Sequence, residues 1–310
     1  MIAYALRRLG FAILSTWFIA TLVFVLVAAI PADPARALLG PHATPENLAR
    51  VNEHYCLDRG LARRYGCWLG AVARGDLGVS YRTERPVAEI LAARAWPTVQ
   101  LALAAIVLQL GIGVPLGAWA AARRRRWPDR AIGLAAALGQ AAPPFVTGTA
   151  LLYLLAYRTG WLPVAGYGAP GLDRLLHLIL PALTLAVIGI AYYARVTRAE
   201  VGDALGEDYI RTARAKGLSE RRVVAKHALR VALGPLVAIV GLDLGMMLGG
   251  AVIVESIFAW PGLGRELLKA IGEVDLPFIL GAVMLSAMAI ALANLVADLV
   301  MAWLDPRLRD

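Results

Sequence analysis

The sequence is short of charge. Asp, Glu, Lys and Arg make up 17% of it, where a soluble globular chain carries about 25%. It has no Gly-Lys pair at all. That excludes a G-x-x-x-x-G-K-[ST] loop, the backbone cradle that holds nucleotide phosphates. Any energy from ATP must therefore arrive through another protein. H-E-x-x-H and G-x-S-x-G are also missing, which excludes a metalloprotease helix and a nucleophile elbow. Two cysteines are present, Cys56 and Cys67. They are not spaced as C-x-x-C and no His-x-His cluster accompanies them, so the pattern gives little support to a metal site.

What is abundant is apolar sequence, 59% of the chain with a mean hydropathy of +0.65. It falls in uncharged runs long enough to cross a bilayer core, which takes about 20 residues per helix. The runs are 9–30, 97–122, 131–157, 175–194, 231–254 and 276–297, the last continuing to 304. The first exceeds the 7–15 residues of a signal-peptide core and reads as a retained membrane helix. The second carries Gly111, Gly113, Pro115 and Gly117, which favour a bend. The third is interrupted by Pro143-Pro144. The predicted fold class is an all-α membrane protein with six transmembrane helices. Residues 1–30 form the N-terminus and first helix, 31–96 a small extramembrane domain, 97–304 the membrane core, and 305–310 a tail. Helix starts are expected at Asp33-Pro34 and Thr44-Pro45-Glu46.

The net charge is +9. Nucleic-acid binding needs a basic face on a soluble fold, but here the cations sit between apolar runs. With both termini cytoplasmic, eighteen Lys or Arg lie on the inside and four in the short outside loops. Positive loops stay in the cytoplasm, and long loops such as 31–96 cross largely regardless of charge. Residues 31–96 are then extracytoplasmic. Disulfides persist in that compartment, so Cys56 and Cys67 read either as a staple of the external domain or as two buried thiols.

The segment 195–233 stands apart, because a topology signal needs only a few charges. Gly217 suits a helix terminator and Ser219 a new N-cap, giving two short cytoplasmic helices joined at Gly217-Leu218. Ala213, Ala215 and Gly217 offer small residues that can enter a groove on another protein. Polar groups inside the apolar runs are costly and often functional. Asp243 reads as pathway lining or a pair at a subunit interface, and Asp298 as a solvated helix end. His177 reads as an interfacial histidine, and Gln100, Gln109 and Gln140 as interhelical hydrogen-bonders. Glu255 and the Trp260-Pro261-Gly262 stretch read as an external gate or as an interfacial turn anchored by Trp260.

The stretch DYIRTARAKGLSERRVVAKHALR resembles the ATPase-coupling loop of ABC-importer permeases, specifically the dipeptide, oligopeptide and nickel group. So do PADPARALLGP, GDLGVSYRTERPV, WLPVAGYG and VIVESIFAWPGLGRELLKAI, and the resemblance covers nearly the whole chain. Two positions depart from the pattern. Arg211-Thr212 replace Glu-Ala of the coupling motif, and Gly234 stands where an apolar residue is usual.

The resemblance implies a type I importer permease in a bacterial inner membrane, working by alternating access. Its implied partners are a second homologous permease subunit, two ATPase subunits, an extracytoplasmic substrate-binding protein and membrane lipid, with no nucleic acid. No cofactor binds the chain itself, and ATP and Mg belong to the ATPases. The coupling role falls on Asp208, Tyr209, Ala213, Ala215, Lys216, Gly217 and Leu218. The implied cargo is a di- or oligopeptide, with nickel, a metal chelate or glutathione as alternatives. An ion-coupled secondary transporter is the competing class, but it calls for internal repeats that the two halves lack.

Overall fold

The computed structural model describes residues 2–28, 44–54, 56–123, 127–248 and 251–304. The expected start at Asp33-Pro34, the motif at 31–41, Arg124–Arg126 and the tail 305–310 lie outside them. Among the described residues the structure is helical, with one isolated antiparallel bridge between Val79 and Pro86. Five helices are long and apolar enough to cross a membrane. They are α1 (Ile2–Ala28), α4 (Val87–Ala122), α7 (Leu172–Ala204), α9 (Glu220–Leu248) and α12 (Leu276–Leu304). Between the first two lie α2 (Pro45–His54), starting where Thr44-Pro45-Glu46 predicts, and α3 (Leu61–Ala73).

The third apolar run does not form one span. It breaks into α5 (Trp127–Ala141) and α6 (Pro144–Leu151), and α6 continues as a wide π turn over Leu152–Arg158. Neither Pro143 nor Pro144 has an N–H to donate, and Pro144 pushes its neighbour toward extended backbone. Pro143 accordingly takes φ −60° and ψ 140°, and Pro144 opens α6.

Other boundaries also move. Pro97 lies inside α4 rather than at its start. The preceding turns are held by Val87, Ile90 and Leu91, which are buried against Phe278 and Ala282 of α12. The expected bend is a π turn over Gln109–Gly113. Most of 195–233 is not loop, because α7 runs on to Ala204 and α9 begins at Glu220. Charge ends an apolar run but not a helix. Between these extensions sits α8 (Asp208–Ala215). Beyond α9 come two short helices, α10 (Val252–Ile257) and α11 (Leu263–Gly272).

The long helix α7 is the spine, packing on α4, α5, α6 and α9. Small residues let it approach α4 closely, the usual device where lipid removes any hydrophobic drive between helices. A Cβ on Gly117 would stand 2.4 Å from the Ala194 carbonyl oxygen, and one on Gly113 2.8 Å from that of Ile190. From the other side, a Cβ on Gly189 would meet the Gln109 side chain at 2.2 Å. Gly241 and Gly245 do the same for α9, against Ala297 and Ile290 of α12. Ion pairs close the remaining contacts. Arg8 of α1 meets Asp298 of α12 at 2.9 Å, so Asp298 is a paired group and not a solvated helix end. Arg198 of α7 holds the buried Asp129 of α5.

Cys56 and Cys67 are joined by a disulfide, with their Cα atoms 6.5 Å apart. It ties the turn that follows α2 to the body of α3. The rings of Tyr65 and Trp68 in α3 pack on Phe24 of α1 at 5.3 and 5.0 Å.

The α4–α7 crossing gives a direct test. Gly117→Leu should cost about 1–3 kcal/mol, since an overfilled contact forces the backbones apart. A lowered unfolding midpoint in detergent is expected, with Gly133→Ala, whose Cβ would meet nothing within 4 Å, as the control. Equal midpoints for the two variants would contradict the close approach.

Candidate functional site

Two constructions occupy opposite ends of α7. At one end lies α8. Its Ile210 and Ala213 are buried in a cluster with Tyr193 and Val201 of α7 and Val223 and Ala232 of α9. Asp208, Tyr209, Ala215, Lys216 and Gly217 are exposed, and Leu218 packs partly onto the cluster. The small residues therefore do not share one face. Positions two apart on a helix point in nearly opposite directions, and Ala213 anchors α8 to its own chain while Ala215 faces outward. Ile210, missed in the sequence, is the second anchor. Its three-residue spacing from Ala213 was the available signal.

Gly217 ends α8 with φ +78°, a conformation only glycine takes without strain. The Leu218 N–H donates to the Ala213 carbonyl (3.3 Å) and the Gly217 N–H to that of Arg214 (2.9 Å), the paired bonds of a Schellman end. Arg214 then bridges the turn to Glu220 at 2.7 Å. Ser219 stands at the N-cap position of α9 but its side chain makes no capping bond. The turn is held from the glycine side instead.

At the other end, Glu255 is fully buried. Its carboxylate accepts hydrogen bonds from the Thr98 hydroxyl (2.7 Å) and the Arg265 N–H (2.8 Å). Thr98 Oγ1 in turn accepts the Leu263 N–H at 2.8 Å. The first turn of α11 is thus capped by side chains of α4 and α10, with a carboxylate at the positive end of its dipole. Burial pushes Glu255, which lies between the spans, above the usual carboxylate range. The N–H of Arg265, the Thr98 hydroxyl, the N–H of Gly264 and the Arg265 charge oppose that shift. A Cβ on Gly262 would stand 2.1 Å from a Glu255 carboxylate oxygen, which explains the glycine.

The Trp260 indole donates to the Pro97 carbonyl at 2.9 Å, and its ring meets Tyr167 edge-on at 4.8 Å. Tyr167 donates to Gln100 at 2.6 Å. Glu266, also buried, pairs with Arg82 and, at 3.2 Å, with Arg94. Asp275 takes the Ser80 hydroxyl and, at 3.0 Å, the Tyr81 N–H. The motifs GDLGVSYRTERPV, WLPVAGYG and ESIFAWPGLGRE therefore interlock as one capped unit over α4, with Glu255, Trp260 and Gly262 inside it and Pro261 partly covered. Thr98, Arg82, Glu266 and Asp275 went unnoticed in the sequence because their partners lie 157–195 residues away.

Elsewhere, Gln109 donates to the Leu185 carbonyl at 3.4 Å, His177 Nδ1 donates to the Asp173 carbonyl (2.8 Å), and the Gln140 side chain lies outside the described set. Asp243, partly exposed within α9, has the Tyr193 hydroxyl as its polar neighbour.

A helical membrane bundle that buries its own capped unit and presents a short amphipathic helix beyond two extended spans is the frame of a transporter subunit. Comparison with known proteins makes that specific. The chain belongs to the family of binding-protein-dependent transport system inner membrane components, matched over residues 113–310, and the N-terminal component of such systems matches residues 1–102. It is 40% identical over 309 residues to the glutathione transport system permease protein GsiC of Escherichia coli O6:H1, covering 100% of this chain and 99% of that one. The GsiC of Salmonella typhi is likewise 40% identical over the same coverage. A solved structure of the MetNI methionine ABC transporter, in inward-facing conformation, shares the fold. The TM-score is 0.58 at 16% identity, over 70% of this chain and 96% of that one. The chain is a permease subunit of an ABC importer, a multi-pass protein of the bacterial inner membrane, from a family that works with ATPase and substrate-binding subunits.

The capped unit predicts that Thr98→Val, which removes a donor to Glu255 and the acceptor of the Leu263 N–H, costs about 1–3 kcal/mol. Thr98→Ser should recover most of it. Identical unfolding midpoints for valine and serine would refute the capping role.

Proposed function

We propose that the chain forms one half of a heterodimeric pathway that imports short peptides of the glutathione class. The observation that carries the cargo is the match to glutathione permeases along the full length of both chains. Nickel and metal chelates are the alternative cargo of the same architecture. Two ATPase subunits dock on the exposed face of α8 and hold the ATP and Mg. The chain binds no cofactor and performs no catalytic step. A substrate-binding protein delivers cargo at the opposite end.

In this reading α5 and α6 together make the sixth, broken crossing, which returns both termini to the cytoplasm. The loops then obey the positive-inside rule. Residues 31–96, less the turns already in α4, form the external domain, where the Cys56–Cys67 bridge is at home. Coupling follows from anchoring. Tyr209, Ala215, Lys216 and Gly217 meet the ATPase, while Ile210 and Ala213 fix α8 to α7 and α9. Closure of the ATPases on ATP moves α8, and the permease shifts only by its differential affinity for the two ATPase states. Pro261 and the interlocked segment around it form the fixed external wall against which that motion works.

Two measurements test this. Gly217→Trp places a bulky group at a left-handed residue on the docking surface. The protein should insert normally and its complex should hydrolyse ATP without accumulating cargo. Unchanged uptake would sink the coupling role. For the cargo, the complete transporter in proteoliposomes should import labelled glutathione and dialanine. Uptake of nickel alone would overturn the peptide assignment.

A further inference from the structure

Asp243 lies in the middle of the apolar stretch of α9, partly buried, and no cation among the described residues pairs with it. By contrast, Asp298 of α12 has Arg8, and the buried Asp129 of α5 has Arg198. A charge in a membrane span is retained where it faces a bundle interior or a wet cavity and meets a partner there. Within this chain the partner is a hydroxyl. Tyr193 of α7 is fully buried, and among the described residues its hydroxyl has no hydrogen-bond partner other than that carboxylate. It stands beside the Asp243 carboxylate.

The direction in which Asp243 points follows from its neighbours. Gly241 and Gly245 both turn toward α12, where a Cβ on either would press on Ala297 or Ile290. A helix turns about 100° per residue, so Asp243, two positions from each, lies on the side away from α12. That side meets α7 at Tyr193, and it is partly open to the outside of the chain. Tyr192, 40% exposed, presents its ring next to Tyr193, with centroids 6.3 Å apart. A carboxylate, the hydroxyl that meets it and an aromatic ring make a receptor for an organic cation. The carboxylate supplies charge-assisted hydrogen bonding and the ring a cation–π surface.

We propose that Asp243, with Tyr193 and Tyr192, binds the ammonium group of the cargo during its passage through the permease. This rests on the short-peptide reading. Every such peptide carries an α-ammonium, in glutathione on its glutamyl residue. The site satisfies a cation in transit without holding it by a full cage, because the second wall belongs to the other permease subunit.

The test uses the complete transporter in proteoliposomes, comparing wild type with Asp243→Asn and Asp243→Glu. Labelled glutathione and dialanine are the probes, supplied at saturating binding protein. In Asp243→Asn, maximal uptake of both should fall by about tenfold or more, the effect of removing one partner of a charge pair. The ATP hydrolysed per peptide imported should rise by the same factor. Subunit stoichiometry and unfolding midpoint should stay as in wild type, and Asp243→Glu should restore most of the uptake. Equal uptake in wild type and Asp243→Asn overturns the proposal. So does loss of the second permease subunit from Asp243→Asn on purification, since that assigns the carboxylate to the subunit interface. A wild type that imports neither peptide overturns the peptide reading itself, a result distinguishable from either of these.

Discussion

The close approach of α4 and α7 is the constraint on which the rest depends. Gly113, Gly117 and Gly189 bring the two backbones together where any Cβ would strike the facing helix. Neither helix ends at that crossing. Toward one end α4 carries Thr98, which caps α11 and holds Glu255. Toward the other, α7 carries Val201, a member of the cluster in which Ile210 and Ala213 of α8 are buried. One contact thus ties the capped unit and α8 to a common rigid pair. Membrane helices have little hydrophobic drive to associate, so packing of this kind and interhelical polar bonds must supply the order.

The two ends differ in how they are built, and the difference fits a transporter. The acids of the capped unit are each met: Glu255, Glu266 and Asp275 are buried and take donors from other segments. Buried polar networks that are fully met rigidify a fold. The α8 end is anchored by two apolar side chains and one glycine turn, with the remaining surface exposed. A fixed wall at one end and a lever at the other is what alternating access requires. Asp243 and Tyr193 lie between them, on the α7–α9 side of the bundle.

Much of this was legible in the amino-acid order. The apolar runs located five of the spans, Pro143-Pro144 located the break, and Gly217 located the end of α8. Helix ends were read less well, for a physical reason. Hydropathy records where lipid stops, while α7 and α9 continue as helices past that point because their ends pack on α8. Pro97 suggested a start, yet the burial of Val87, Ile90 and Leu91 carries the helix ten residues further back. Glu255 and Trp260 stood out in the sequence, but their burial among distant partners depends on pairings such as Thr98 with Leu263, which local spacing does not encode. The face of α8 was divided wrongly because small size was read without helical phase.

The central claim is that α8 passes work from the ATPases to the membrane helices through its outward face while its inward face stays fixed. Site-directed cross-linking in the complete transporter tests this most directly, with single cysteines replacing Ala215 and Ala213. The account predicts that the cysteine at 215 cross-links to the ATPase subunit with a yield that changes on ATP binding, and that the cysteine at 213 does not. Cross-linking from 213 and none from 215 would contradict it.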